Sequence, residues 1–499
     1  MSSQQLSYRQ IMKSTSIFGG VQVFQIIIQI IRSKFIAVLL GPSGMGIIGL
    51  FTTTLSLIGN LTGFGLGSSA IRNISEAFGT GDNQRISVVI QVIRRLVWLT
   101  GLFGAVITSA FSPLLSRLTF GNSDYTYAFI WLSITLLINQ IFNGQKVLLR
   151  GTRNIQFLAK ANLYGSTLGL VLTIPLYYLL GVRGIVPGII ITSIISLVLS
   201  WYYSRKIYVE KIQYLSYKQT MIEGKSMLVM GFMISLSSLI SVGASYLVRI
   251  FISRNGGLED VGLYNAGFAI LSTYTGLIFT AMSTDYYPKL AAESKNNDLC
   301  KQTINQQTDI AILILAPILV LFILFVHWFI VLLYSNKFVG INEMMQWAAL
   351  GMFFKTLSWA ISFLFIAKGV SKLYFWSELS ASIYMISFNI IGYYFWGLTG
   401  LGISFLTAYL LYFIQVFFIA NKMYEFLFSK SLIQIFVFQF ALALSSFICI
   451  MYMSKPYSYI LGICIFVISF IYSYKEIEKR VAIKSMIIRL LSKTKKNEK

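Results

Sequence analysis

Apolar segments of about 20 residues recur along the whole chain of 499 residues. A helix of that length crosses roughly 30 Å of hydrocarbon, which is the apolar thickness of a bilayer. The chain is 56% hydrophobic and only 11% charged, with a mean hydropathy of +0.73, which excludes an ordinary soluble globular protein. We therefore predict an all-α, polytopic membrane protein with about 14 transmembrane helices, near 15–39, 44–66, 92–115, 126–148, 160–180, 184–204, 226–252, 262–284, 308–333, 343–367, 374–395, 399–421, 432–453 and 457–474.

The net charge of +23 follows the predicted topology. With the N-terminus inside, 31 of the 40 Lys and Arg residues are cytoplasmic, five lie in external loops and four within spans. The 31 include Arg94, Arg95, Lys146 and Lys160, which stand at the cytoplasmic ends of their spans. An excess of basic residues in cytoplasmic segments is the positive-inside rule. We therefore expect a multi-pass protein of the cell (inner) membrane with both termini in the cytoplasm, and no nucleic-acid partner.

Two copies of one module make up most of the chain. Arg32 in one copy corresponds to Arg249 in the other, and both lie in apolar sequence. Gly181 corresponds in the same way to Gly397, and the offset between matching positions stays nearly constant along the copies. Because each copy has six spans, both copies enter the membrane from the same side and are parallel repeats.

The repeats predict a two-lobed transporter that opens a central cavity alternately to either face of the membrane. The last two spans have no counterpart in the repeat. We predict an N-lobe over 1–206, a cytoplasmic linker over 207–225, a C-lobe over 226–422, an extra helix pair over 423–474 and a basic cytoplasmic tail over 475–499.

A basic residue with an acid four positions later also recurs. The pairs are Arg72 with Glu76 and, in the second copy, Lys289 with Glu293. This spacing places opposite charges on one face of a helix, so both pairs are predicted to form cytoplasmic ion pairs.

Polar side chains form a stripe along the first span. Gln22, Gln25, Gln29 and Arg32 recur at every third or fourth position, which places them on one helix face. A stripe of serines in the seventh span likewise ends at Arg249. Such a face is costly in lipid, so we expect it to face the bundle interior or water. The alternative is that the arginines extend to the membrane interface and bind nothing.

Lys355 is the charge predicted to lie deepest, because it stands midway between the flanking charges Glu343 and Lys368. Trp359 follows one turn later and is a candidate for stacking on a sugar ring, and Asn139 is a polar residue in the matching region of the fourth span. The charges predicted to lie at mid-depth in the spans are basic. A basic cavity suits an anionic substrate, because phosphate oxygens offset the cost of burying Arg and Lys.

The chain resembles the multidrug/oligosaccharidyl-lipid/polysaccharide flippase superfamily, specifically its O-antigen translocase or polysaccharide transporter branch. The resemblance covers residues 10–422 and is carried by RSKFIAVLLGPSGMGIIGLF, by its second copy from Arg249 to Phe268, and by STDYYPKL from Ser283 to Leu290. It implies a flippase that moves undecaprenyl-diphosphate-linked oligosaccharide, such as an O-antigen or other surface polysaccharide repeat unit, from the cytoplasmic to the external leaflet. It also implies a cationic cavity, in agreement with Arg32, Arg249 and Lys355.

The sequence leaves other transported substrates open. Many O-antigen translocases have twelve spans, whereas lipid II flippases have fourteen, and their last two helices form a groove for the prenyl tail. A lipid II-type peptidoglycan precursor is therefore an alternative substrate. A multidrug or cation antiporter of the same superfamily would need an embedded carboxylate, and none is evident at mid-depth.

An enzymatic function is not expected. A membrane glycan polymerase or glycosyltransferase usually has large external loops or clustered carboxylates, and a scaffold would not need buried charge. We predict no catalytic residue, cofactor or metal, since the three cysteines have no zinc-binding spacing. The expected partners are a polyprenyl-diphosphate-linked oligosaccharide and the lipid bilayer, with a polysaccharide polymerase and a chain-length regulator as further candidates.

Overall fold

The computed structural model describes residues 3–80, 82–152, 154–207 and 215–481. Within these ranges the chain is almost entirely helical, and no β-strand occurs there. The predicted tail beyond residue 481 and part of the predicted linker lie outside them. The α-helices are α1 (Ser3–Thr62), α2 (Leu66–Thr80), α3 (Asn83–Ala110), α4 (Ser112–Phe120), α5 (Thr126–Gly151), α6 (Ile155–Leu180), α7 (Ile185–Ser204), α8 (Tyr217–Ala292), α9 (Asn297–Leu333), α10 (Asn342–Ala367), α11 (Ser371–Tyr424), α12 (Lys430–Tyr452) and α13 (Tyr457–Val481).

Three of these helices are too long to cross a bilayer once. α1, α8 and α11 contain 60, 76 and 54 residues, whereas about 20 residues span the hydrocarbon. Each is broken at a glycine with positive φ, namely Gly41, Gly257 and Gly397. Glycine adopts this conformation readily because it has no Cβ. Each long helix is therefore two spans joined by a tight turn.

The helices match the predicted number of spans. By length and composition, nine helical stretches among the described residues can cross a membrane, and a bent pair within α8 makes a tenth. Four of these ten are double-length, including α6 and α7, which join through a short 3-10 turn at Gly181–Gly184. Dividing them at their glycines yields the fourteen predicted helices, which confirms the all-α, fourteen-helix prediction.

The duplication seen in the sequence is repeated in the backbone. Gly41 and Gly257 are separated by the same number of residues as Gly181 and Gly397. All four glycines have positive φ and end the first helix of a hairpin. The two halves of the chain therefore turn at equivalent positions.

The hairpins at Gly41 and Gly257 pack against each other in a reciprocal way. A Cβ placed on Gly46 would overlap the carbonyl oxygen of Leu258, and one placed on Gly262 would overlap the carbonyl oxygen of Pro42. Positions 42 and 258 match each other in the two copies, and so do positions 46 and 262. The contact therefore follows a local pseudo-two-fold axis, and only glycine fits on either side of it.

The chain folds into two compact units. The first comprises Met1–Asn265 and Leu333–Lys337, and the second comprises Ala266–Leu332 and Phe338–Lys499. The first half of α8 belongs to the first unit: Arg85 of α3 pairs with Glu223 at 2.8 Å, and Tyr246 lies 2.7 Å from the hydroxyl of Thr119. This grouping reflects packing, whereas the predicted lobes follow the sequence repeat and stay a prediction.

The extra helix pair packs within the second unit. Gln439 of α12 donates a hydrogen bond to Ser473 of α13 at 2.8 Å and accepts one from Ser469 at 2.6 Å. Arg480 at the end of α13 reaches the carboxylate of Asp309 on α9 at 3.3 Å. The buried contacts of Gln439 connect α12 to α13, and the partly buried contact of Arg480 with Asp309 connects α13 to α9.

One of the two predicted cytoplasmic ion pairs is present. Arg72 and Glu76 meet at 2.7 Å, and the hydrogen bond and charge of Glu76 raise the pKa of Arg72 above its ordinary value. Both side chains are exposed, so the pair contributes little stability. In the second copy, Glu293 instead accepts a hydrogen bond from Thr303 at 2.6 Å.

Candidate functional site

The predicted polar face of the first span lies on α1. Gln25 and Arg32 are half-buried and Gln29 is exposed, while the side chain of Gln22 lies outside the described residues. The Nε of Arg32 is shielded from solvent and has no hydrogen-bond partner in the described part of the chain. A buried N–H without an acceptor is unfavourable, so this group is suited to an anionic ligand.

Arg249 has a different environment from Arg32. Its Nε donates to Oδ1 of Asn265 at 2.7 Å, and its Nη1 donates to the backbone oxygen of Ser245 at 3.0 Å and to the Ser245 hydroxyl. The guanidinium also lies 5.5 Å from the ring centroid of Tyr264. These contacts hold the side chain within the hairpin formed by the two halves of α8.

Lys355 lies half-buried near the middle of α10. Its Nζ is 5.3 Å from the ring centroid of Tyr409 and 5.7 Å from that of Phe405, within the range of cation–π attraction. No Asp or Glu of the described ranges forms an ion pair with it. Lys355 is therefore an embedded cation that aromatic faces stabilise and that no acid in the described part of the chain neutralises.

Trp359 follows Lys355 by one turn and packs in an aromatic cluster. Its ring centroid lies 5.0 Å from that of Phe279, 5.6 Å from that of Tyr286 and 5.3 Å from that of Phe363. These neighbours occupy much of the half-buried indole. Stacking of Trp359 on a sugar stays a prediction.

The polar residues of the fourth span lie on α5. Asn139 is half-buried, and its predicted contact with substrate stays a prediction. The adjacent Gln140 donates to the backbone oxygen of Gly63 at 3.3 Å and to Thr100 at 3.0 Å. Gln140 therefore joins three spans of the first unit and has a structural role.

Two acidic residues in the second unit were not singled out from the sequence. Asp309 is buried and pairs with Arg480, which lies 171 residues away. Glu378 on α11 accepts a hydrogen bond from Tyr412 at 2.7 Å. Neither pairing has a short-range sequence signal, and among the described residues no group of three or more His, Cys, Asp or Glu could hold a metal.

Known proteins resemble this chain in sequence. Residues 35–343 match the family described as polysaccharide biosynthesis protein. A lipid III flippase of Escherichia coli (strain K12) is 22% identical over 384 residues, which cover 76% of this chain and 91% of that protein. A Shigella flexneri protein provisionally named as an O-antigen transporter is 25% identical over 388 residues, which cover 74% of this chain and 88% of that protein.

Solved structures resemble it in fold. A lipid II flippase, MurJ, in an inward closed conformation superposes with a TM-score of 0.70 at 16% identity. The match covers 93% of this chain and 99% of the flippase. A second structure is an inward-facing multidrug resistance transporter of the MATE family of the MOP superfamily. It superposes with a TM-score of 0.68 at 17% identity, and the match covers 84% of this chain and 98% of the transporter. The protein is therefore a multi-pass membrane protein with the fold of this superfamily, and, because the family match covers more than half of the chain, it belongs to the polysaccharide biosynthesis protein family.

Proposed function

We propose that the protein is a flippase that moves undecaprenyl-diphosphate-linked oligosaccharide, an O-antigen or other surface polysaccharide repeat unit, from the cytoplasmic to the external leaflet. The family and the E. coli and Shigella relatives support this substrate class. The observation that carries the proposal is the presence of two embedded cations, Arg32 and Lys355, that no acidic side chain neutralises in the described ranges.

Phosphate binding is assigned to Arg32 and Lys355 on chemical grounds. A diphosphate supplies anionic oxygens that form charge-assisted hydrogen bonds with guanidinium and ammonium groups. Gln25 and Gln29, on the same helix face as Arg32, supply amides that suit sugar hydroxyls. The polyprenyl chain remains in lipid throughout, so only the polar head group has to be enclosed.

Alternating access in the inner membrane, with both termini cytoplasmic, is part of the proposal. An inside-negative potential favours outward movement of an anion by about 2.3 kcal/mol per charge per 100 mV. The bound cations reduce this drive to the extent that they move with the substrate. A polysaccharide polymerase and a chain-length regulator are the proposed partners, since they would act on the exported repeat unit.

A lipid II-type peptidoglycan precursor is the second candidate substrate. The match to the lipid II flippase extends over 93% of this chain, against 84% for the MATE transporter. An antiporter is less well supported, because the buried carboxylate of Asp309 already has Arg480 as its counter-ion.

Deletion of the gene tests the function directly. We expect lipid-linked repeat units to accumulate on the cytoplasmic side, and re-expression of the wild-type protein to relieve this. Accumulation of lipid II with arrest of wall growth would favour the second candidate, and normal glycan export would contradict both.

The double variant R32A/K355A is the corresponding site test. We expect loss of glycan export at normal membrane abundance, because the phosphate charge then lacks both partners. The matched control is R72A, which removes an exposed cytoplasmic arginine and should leave export unchanged. Full export by R32A/K355A would refute the assignment of phosphate binding.

A further inference from the structure

We infer that the twin arginines of the two repeats have different roles, and that Asn265 sets the difference. Asn265 holds Arg249 as a structural cation of the α8 hairpin, which leaves Arg32 as the arginine that binds phosphate. The phosphate role of Arg32 rests on the proposed function. The structural role of Arg249 does not.

The two arginines are not at equivalent positions in the fold. The turning glycines set the register of the two repeats, and in this register Arg249 corresponds to Ser33 and Arg32 to Val248. Both stretches are continuous helix up to their glycine, so a shift of one residue rotates a side chain by about 100° around the helix axis. The two guanidinium groups therefore leave their helices in different directions relative to their hairpins.

The acceptor that binds Arg249 is also absent from the first repeat. In the same register Asn265 corresponds to Gly49, which has no side chain and offers Arg32 no equivalent acceptor. A Cβ placed on Gly49 would overlap the side-chain amide of Asn265. Gly49 thus provides the space into which the Asn265 side chain fits. The repeats therefore differ at this matching pair of positions, with Gly in the first and Asn in the second.

The hydrogen bonding follows this asymmetry. Two nitrogens of Arg249, Nε and Nη1, are already used by Asn265 and Ser245, both of which lie in the same unit. The Nε of Arg32 is shielded and unused within the described part of the chain. At Arg32 a phosphate oxygen would break no existing hydrogen bond of Nε, whereas at Arg249 it would have to compete with the existing bonds of Nε and Nη1.

A matched pair of substitutions separates the two roles. The purified full-length variants R32Q and R249Q are titrated with undecaprenyl diphosphate in detergent, and the Kd of each is compared with that of the wild type. We expect R32Q to weaken binding about tenfold or more and R249Q to stay within about twofold, since only the first loses a phosphate contact. Thermal unfolding should show the reverse order, with the lower Tm in R249Q.

If R249Q does not fold, the variant N265D tests whether Arg249 binds phosphate. The Nδ2 of Asn265 makes no hydrogen bond within the described residues, so replacing it with oxygen removes none, and the new carboxylate neutralises Arg249 in place. We expect N265D to bind undecaprenyl diphosphate within about twofold of the wild type. A loss in N265D or R249Q equal to that in R32Q, or unchanged binding by R32Q, would overturn the division of roles while leaving the proposed function intact. Failure of the wild type to bind would instead remove the proposed function.

Discussion

Basic residues within the spans and at their ends differ in whether they have a fixed partner. Arg249 is bound by Asn265 and Ser245, and Arg480 by Asp309, whereas Arg32 and Lys355 have no acidic partner in the ranges that the structure describes. A charge without a partner is costly in a low-dielectric environment, and a functional ligand can offset this cost. We therefore attribute binding to the second group and stability to the first.

The Asp309–Arg480 pair tests the stabilising role at the scale of single residues. R480A leaves the buried carboxylate of Asp309 without its cation, so we expect the Tm of the purified protein to fall by several degrees. K479A is the matched control, because Lys479 is the adjacent base and its side chain is 70% exposed. The K479A substitution should leave the Tm almost unchanged, since exposed ion pairs contribute little to stability.

Asp309 supplies a rescue for the same measurement. Replacing it with Asn in the R480A background removes the uncompensated charge, so the double variant D309N/R480A should recover most of the lost Tm. An R480A protein as stable as the wild type would show that the pair does not fasten α13 to α9.

Embedded cations could be predicted from the sequence because apolar sequence around Arg32 and Lys355 marks their depth. The partners of the basic residues could not be predicted from the sequence. Asn265 is an ordinary polar residue near a turn, and Asp309 and Arg480 are 171 residues apart. Which cations are neutralised depends on contacts between distant segments, and local spacing does not encode these.

At the scale of helices, the sequence predicts the number of spans better than the length of each helix. Fourteen spans follow from apolar windows, but α9 begins at Asn297 and α3 at Asn83, earlier than the predicted 308 and 92. Polar residues continue these helices beyond the apolar layer, and hydropathy does not detect them. The short helix α4 was not predicted as a separate helix, since it has only nine residues and is too short for an apolar window.

The reciprocal glycine contact between hairpins leads to a prediction at this scale. Substituting Leu for Gly46 places a side chain where the Leu258 carbonyl lies, so the hairpins at Gly41 and Gly257 cannot pack this closely. We expect G46L to reduce glycan export at least about tenfold with normal membrane abundance, because one conformation of the transport cycle is lost. Export is measured as surface glycan in the complemented deletion strain.

Symmetry supplies the internal check for this prediction. G262L should reduce export as strongly as G46L, since Gly262 meets Pro42 in the same way. G67A is the control: Gly67 is exposed and a Cβ there has no neighbour within 4 Å. Normal export by either leucine variant would contradict a functional role for the close packing.

For the whole molecule, the charge distribution and the duplicated sequence together support the proposed transport of an anionic substrate. A net charge of +23 is concentrated in the predicted cytoplasmic segments, and Arg32 and Lys355 have no acidic partner in the described ranges, whereas the acids Asp309 and Glu378 are bonded to Arg480 and Tyr412. Two repeats that turn at matching glycines provide related hairpins, and the presence of Asn in one repeat where the other has Gly makes them chemically unequal. The proposed class of substrate rests on this chemistry, and the identity of the sugars does not follow from it.

Flipping by the purified protein tests this account most directly. Undecaprenyl diphosphate carrying a fluorescent oligosaccharide is incorporated into vesicles with or without the protein, and an impermeant quencher removes the signal of the outer leaflet. Vesicles with wild-type protein should lose nearly all fluorescence, whereas protein-free vesicles and those with R32A/K355A should lose only the outer-leaflet share. Equal quenching with and without wild-type protein would contradict the proposed function, and full quenching with the double variant would contradict the roles assigned to Arg32 and Lys355.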